Sequence, residues 1–350
     1  MRTPPRPRFT TPLPSRPPTA GGWDVWDRFL QTRPDTGFMQ SSWWAQFRAA
    51  AGFRNFGVII RRQGAIIGGG VVHAYEWRPG EGFYYLPEGP ALPDDPARAR
   101  EVFDALLSST RHHRNAESLT ISHLRLEPRW REMPEFLRDF DIVPAPEDLF
   151  TEPRHTLCVD LRGSETGILA QMHSKGRYNI AVARRHGLTV VEDGSAAGIA
   201  DFLTLYHGMT ERKGISPKSD PYFETLIPAL RPGGRGSLLF AQLGQERLAA
   251  ALVICFGVRA TYFYGASSET HREMMAPYLL QFAGMRLAKA RGCESYDLWG
   301  VAPDDSPDHP WQSITDFKLK FGGERLDLVP TFDLIFDRGA YARYLGGAPA

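Results

Sequence analysis

Cysteine is scarce: Cys158, Cys255 and Cys293 are the only three in 350 residues, and they lie far apart in sequence. No CxxC and no Cys/His ligand spacing occurs, which excludes a zinc ribbon and a disulfide framework. The three thiols read as small buried hydrophobes in a reducing compartment. No run of about 18 apolar residues exists, so no transmembrane helix is expected. Net charge is nearly missing as well. A formal value of +1 excludes a general nucleic-acid binder, DNA included, so a polyanion would have to meet a local patch. There is no GxSxG elbow and no GxxxxGK[ST] loop. The Gly-rich stretch QGAIIGGG at 63–70 leads into the apolar strand VVHAY, whereas a phosphate cradle should open a helix.

What is present is ordinary for a soluble globular chain, 42% hydrophobic and 23% charged. The length suggests about two domains with sizeable cores. The first 20 residues carry seven prolines and four arginines and read as a flexible basic arm rather than a signal peptide.

Patterning predicts a short amphipathic helix at 22–31 and a second from Ser41 to Ala51, capped by Ser41 or Ser42. FGVIIRRQGAIIGGGVV reads as two strands about a Gln63-Gly64 turn, and GFYYL as a third, broken by Glu88-Gly89-Pro90. A helix over 96–114 and a strand over 118–126 follow. The second half repeats this order: SLLFAQL, a Gly244-Gln245 turn, LAAALVICFG, ATYFYG, a helix over 273–291 and a strand at Glu294–Val301. Gly64 matches Gly244 and Tyr84 matches Tyr262, about 180 residues on. The spacing predicts an internal duplication of a β-β-β-α-β unit, hence two similar mixed α/β domains. The expected divisions are an arm at 1–20, a first domain at 21–152, a second at 153–326, and a terminal strand and tail at 327–350 that can return to the first domain. Seven acids within 130–152 mark the boundary; HTLCVDL opens the second domain, and helices over 164–187 and 196–213 precede its sheet.

Four segments can carry chemistry. Met172–Gly187 reads as one helix holding Lys175, Arg177, Arg184 and Arg185 without an acid, either a phosphate-binding face or a solvated one. Arg212 and Lys213 end a helix, either clamping an anion or capping the helix terminus. Strict alternation in Tyr262-Phe263-Tyr264 puts both tyrosines on one face, for stacking on a ligand or for half-buried packing. Lys318 and Lys320 lie between Phe317 and Phe321; such lysines either snorkel to the surface or present a desolvated ammonium to an oxyanion.

Together these blocks resemble the Fem family of peptidoglycan interpeptide-bridge aminoacyltransferases. The resemblance runs along nearly the whole globular part: FMQSSWWAQFR, YYLPEGP, HTLCVDL with MHSKGRYNIAVARRHGL, ATYFYGASS, MAPYLLQ, AKARGCESYDLWGV and FKLKFGG. It implies two GNAT-like domains. With no charged heptad segment between Ala170 and Tyr222, the chain is similar to the compact, FemX-like form without a helical-hairpin arm. The implied reaction is aminolysis of the 3′ ester of an aminoacyl-tRNA by an amine of UDP-MurNAc-pentapeptide or lipid II, in the cytoplasm, with no metal or redox cofactor. A lipid-linked acceptor would bring the enzyme against the inner membrane face without insertion.

By the same resemblance, Lys318, with Phe317 and Asp316, would be catalytic; Asp297 and Glu324 are further candidates for the base. Arg48, at a position where the family often has lysine, would bind precursor phosphates with Arg177 and Arg212. Tyr85, Tyr262 and Tyr264 would line the precursor site. Two other readings compete. An acyl-CoA N-acyltransferase would want a Gln/Arg-x-x-Gly-x-Gly/Ala turn, which GASSETHREMMAPYLL lacks. A noncatalytic RNA- or glycan-binding protein on the same fold would want more net charge for RNA.

Overall fold

The computed structural model describes residues 23–146, 152–304, 306 and 308–346. The Pro/Arg arm at 1–20, the boundary acids Glu147 and Asp148, and the tail beyond 346 lie outside the described residues. The chain divides into two units, one running to Arg154 and resuming at Leu328, the other being His155–Asp327.

The first unit opens with α1 (Trp23–Leu30) and α2 (Ser42–Ala50), followed by β1 (Asn55–Arg62), β2 (Ala65–Arg78), β3 (Glu81–Pro87), α3 (Pro96–Asn115), β4 (Thr120–Glu127) and β5 (Ile142–Pro144). The second contains β6 (His155–Asp160), α4 (Glu165–Gln171), α5 (Ser174–Arg185), β7 (Thr189–Glu192), α6 (Ala196–Lys213), α7 (Asp220–Ala229), β8 (Gly236–Leu243), β9 (Glu246–Phe256), β10 (Arg259–Ser267), α8 (Ala276–Ala290), β11 (Ser295–Gly300), α9 (Gln312–Leu319) and β12 (Glu324–Asp327). The first unit then closes with β13 (Phe332–Ile335) and α10 (Arg338–Gly346). Its sheet runs β1-β2-β3-β4-β13-β5, and the second unit's runs β12-β6-β11-β10-β9-β8-β7. No helix among the described residues is long and apolar enough to cross a membrane.

The duplication is visible in the topology. In each unit two hairpins lead to a strand that pairs parallel with the strand after one crossover helix: β3–α3–β4 in the first, β10–α8–β11 in the second. Local chemistry explains the elements. Gln63 and Gly64 both have positive φ, as a tight two-residue hairpin turn requires. Ser41 caps α2 by accepting from the Trp44 N–H at 3.3 Å, while the Ser42 hydroxyl donates to Asp27. Asp95 caps α3, with Pro96 in the first turn. In the first unit, Val102, Phe103, Leu106 and Leu107 of α3 bury against Val72, Tyr84, Leu86 and Leu124. In the second, α8 buries Phe282 and Met285, and α5 buries Ile180 and Ala183, against Leu239, Ala251, Val253 and Tyr296. Each such large side chain contributes about 1.5–3 kcal/mol.

Four expectations are corrected. The helix read across 164–187 is two: Met172 ends α4, and the His173 Nδ1 caps α5 by accepting from the Lys175 N–H at 3.1 Å. The helix read from 273 begins at Ala276, because Met275 sits in the left-handed region before it. Residues 130–146 do more than mark a boundary: Trp130 and Leu137 are buried, and β5 pairs with β13. Cys158 and Cys255 are also part-exposed rather than fully buried.

Candidate active site

β10 and β11 are the parallel neighbours of the second sheet, and their pairing is brief. Arg259, Ala260 and Thr261 face Ser295, Tyr296 and Asp297, and there the ladder stops, although β10 runs to Ser267 and β11 to Gly300. Two irregularities part them. β10 slips against β9 between Tyr262 and Tyr264, and β11 slips against β6 between Asp297 and Gly300. Open sheets bind ligands outside the carboxyl ends of parallel strands, and here those ends diverge. In the first unit the matching pair slips once, between Gly82 and Tyr84, yet stays paired to Pro87 opposite Glu127.

The divergence is held by buried polar contacts. Trp299 adopts φ +65, a costly conformation for an aromatic residue. Its N–H donates to Asp297 Oδ1 at 2.8 Å, and the Thr156 hydroxyl donates to the same oxygen. From α9, Lys318 reaches back so that Nζ donates to the Gly300 carbonyl at 2.6 Å. Lys318 is 6% exposed. Burial pulls its ammonium down to about 8 from an ordinary 10.5; the charge of Asp297 opposes this and that of Lys213 adds to it. Lys318 is therefore mostly a cation at neutral pH, desolvated, with protons left to donate.

That depression has a sign for stability. The folded protein gives up the Lys318 proton near pH 8 and the unfolded chain near 10.5, so between those values the unfolded chain holds more protons. The penalty for burying the charge is present below pH 8 and is relieved as pH rises through that window. Wild-type unfolding free energy should therefore gain on that of Lys318→Met between pH 8 and 10.5, read by urea titration at each pH. A constant difference between the two proteins would contradict it.

The segment around Lys318 is firmly held. Phe317 packs on Tyr278 and Phe321 with ring centroids 5.1 Å away in both cases, and Phe321 is fully buried. Gly322 and Gly323 have φ +71 and +99, and a Cβ would lie 2.1 Å from the Gln171 carbonyl oxygen and 2.5 Å from that of Cys158. Asp316 is exposed on another side of α9, accepting from Gln312 Nε2 at 2.9 Å; two residues along a helix turn it about 200° from Lys318. Glu324 is exposed on β12. Of the three carboxylates singled out in sequence, Asp297 is the buried one whose charge acts on Lys318.

The two tyrosines of β10 do not share a face. The bulge inserts one extra residue, so Tyr262 pairs with Val253 and Tyr264 with Leu252, and the alternation breaks. Tyr262 turns to the α8 side. Its ring covers Gly265, where a Cβ would lie 1.7 Å from the hydroxyl, and it bonds to Gln281. Burial raises its phenol to about 12. Tyr264 turns to α6 and α7, against Tyr206 and Phe223, and its hydroxyl donates to that of Tyr222 at 3.2 Å.

Arg212 is held by the Ser267 carbonyl at 2.7 Å and by Glu269 at 3.1 Å, and Arg177 donates to the Met172 carbonyl. Arg48 and Tyr85 belong to the first unit. Arg48 lies 3.6 Å over the Phe53 ring and donates to the Tyr75 hydroxyl at 2.6 Å. Tyr85 is buried and donates to Glu127 at 2.5 Å; burial holds its phenol well above 10. Near Arg48, His73 is buried and kept neutral, its imidazolium destabilised by burial and then by the arginine.

Sequence reasoning missed Thr156, Trp299 and the Gly300 carbonyl, which hold Asp297 and Lys318 in place. The Trp299-Gly300 pair directly after Tyr296-Asp297-Leu298 was the available signal. His73 gave none.

The FemAB family model matches residues 147–243 and 236–345. The "Lipid II:glycine glycyltransferase" of Staphylococcus epidermidis is 21% identical over 393 aligned positions, covering 90% of this chain and 92% of that protein. The protein of the same name from Staphylococcus saprophyticus is 22% identical over 255 positions, and the match spans 61% of its length. Among solved structures, the chain is similar to FemX with a TM-score of 0.80, 19% identity, and 90% and 96% of the two chains covered. It also resembles a tandem GNAT protein from the clavulanic acid biosynthesis pathway, with a TM-score of 0.50, 13% identity, and 89% and 93% covered.

Proposed function

The chain belongs to the FemAB family, and from that premise we propose that it transfers an amino acid to an amine of a peptidoglycan precursor, building an interpeptide bridge. The donor in this reading is an aminoacyl-tRNA. The relatives' name, Lipid II:glycine glycyltransferase, favours a lipid-linked acceptor, met at the inner membrane face from the cytoplasm. The observation that carries the proposal is the buried Lys318 ammonium at the parted ends of β10 and β11.

In the proposed step the acceptor amine, with a solution pKa near ~10, sheds a proton and its nitrogen attacks the ester carbonyl carbon. The carbonyl oxygen becomes an oxyanion facing Lys318. The intermediate collapses, the bond to the ribose 3′ oxygen breaks, and that oxygen leaves with a proton. Lys318 opposes the developing negative charge in a site with little water, where such a donor counts most. Phe317 fixes the helix that carries it. Asp297 favours the charged ammonium, and the amine's proton leaves to water, since Asp316 faces another side of α9. Arg48 and Arg212 are proposed for precursor phosphates, and Tyr85, Tyr262 and Tyr264 for precursor contacts, each within its own unit.

The test is a transfer assay crossing charged tRNA pools with lipid-linked and UDP-linked precursors. Ligation of one amino acid to one acceptor form is expected; no product in any combination would overturn the proposal. The pH profile adds a second check. Rate should climb as the acceptor amine deprotonates, level off above about pH 8 as Lys318 loses its charge, and fall once the amine is fully deprotonated above ~10. A rate still climbing through pH 9.5, roughly a unit and a half past that value, would remove the cation from the mechanism.

A further inference from the structure

Helix α5 turns one face into the second unit's core through Gly176, Asn179, Ile180 and Ala183. Its opposite side is exposed and carries Lys175, Arg177, Tyr178, Arg184 and Arg185. Among the described residues none of these four cations has a carboxylate partner. Elsewhere in the unit, Arg212, Arg247, Arg286, Arg291 and Arg325 each do. Three of them make weaker contacts: Arg184 lies 5.4 Å over Phe282, Arg185 lies 5.6 Å over Tyr178, and Arg177 bonds to a backbone carbonyl. Tyr178 is 60% exposed, a large aromatic left in water between cations.

The helix is tied to the catalytic segment. The His173 N–H, one residue before α5, donates to the Lys320 carbonyl at 3.1 Å. A Cβ on Gly176 would lie 2.3 Å from that same oxygen, so α5 begins in contact with the end of the helix that carries Lys318. From there it extends about 18 Å, the span of about five phosphates along one strand.

We infer that the exposed face of α5 is the docking surface for the phosphodiester backbone of the RNA donor, close to the segment that carries Lys318. This rests on the donor proposed above. Charge complementarity and the missing carboxylates argue for a polyanion. A bilayer fits less well: an interfacial helix inserts its apolar side, and the apolar side of α5 is already buried in the core.

The test compares wild type with the triple variant Lys175→Gln/Arg184→Gln/Arg185→Gln. Binding of a labelled, uncharged RNA hairpin the size of a tRNA acceptor arm is followed by anisotropy across a KCl series. The variant should bind on the order of tenfold or more weakly at low salt, and its log–log salt slope should be shallower by about three. In transfer assays KM for full-length aminoacyl-tRNA should rise with kcat unchanged, while turnover from an aminoacylated trinucleotide ending in CCA should match wild type. Unchanged hairpin affinity and slope would overturn the inference. So would loss of binding to phosphatidylglycerol vesicles with RNA binding intact, or an equal loss with the trinucleotide. If wild type transfers from neither donor, the donor reading fails on its own, and the hairpin titration still decides whether the surface binds RNA.

Discussion

Lys318→Ala should lower the transfer rate by about 100–1,000-fold while leaving precursor affinity near wild type, because deleting one donor to an oxyanion has that cost. The ammonium is enclosed by protein and already bonded to the Gly300 carbonyl, so it needs no reorganisation when charge appears. Lys318→Arg tests geometry as well as charge. A planar guanidinium cannot repeat a compact ammonium inside this packing, so little activity should return. Single-turnover kinetics with saturating donor would isolate the chemical step. Wild-type-like turnover of Lys318→Ala would place the chemistry elsewhere.

Gly322→Ala should destabilise the protein by about 3 kcal/mol, among the larger effects of a single methyl group. Two costs combine. The residue has φ +71, and the added carbon would meet the Gln171 carbonyl oxygen at 2.1 Å, a backbone atom that cannot swing aside. Gly187→Ala separates them: its φ is +77, but nothing lies within 4 Å of where the added methyl group would sit, so it should cost only the conformational strain, about 1 kcal/mol. Urea unfolding followed by tryptophan fluorescence would compare the two, and equal losses would show that the close approach is unimportant. Because Gly322 follows Phe321, the displacement should also move Lys318, and Gly322→Ala should lose activity under conditions where it remains folded.

Much of the fold was legible because turn chemistry and hydrophobic runs agreed. Gln63-Gly64 and Gly244 mark hairpins at corresponding places, and the long helices α3, α6 and α8 carry clear apolar periodicity. Strands of three or four residues, β5, β7, β12 and β13, are defined by their partners rather than by their own pattern, so only the last was anticipated. The break before α5 was hidden because histidine, not serine or aspartate, caps it. At the candidate site, Lys318 could be named only through the family resemblance that FKLKFGG carries. Its burial could not, since two lysines beside phenylalanines look alike whether they reach water or not, and it is Lys318 that is enclosed while Lys320 remains part-exposed. The bulge in β10 was invisible for a different reason. Tyr-Phe-Tyr alternates perfectly on paper, and only the slip against β9 shows that the two phenols serve opposite sides of the sheet.

The pairing of β3 with β4 to its end, against the early parting of β10 and β11, has a consequence for how the two halves can change. Repeats that began alike have lost their equivalence. Between its parallel strands, the half that stays paired is constrained mainly by the need to keep them zipped. The half with the gap is constrained by a strained tryptophan and an enclosed cation that do little for folding and would be discarded by selection for robustness alone.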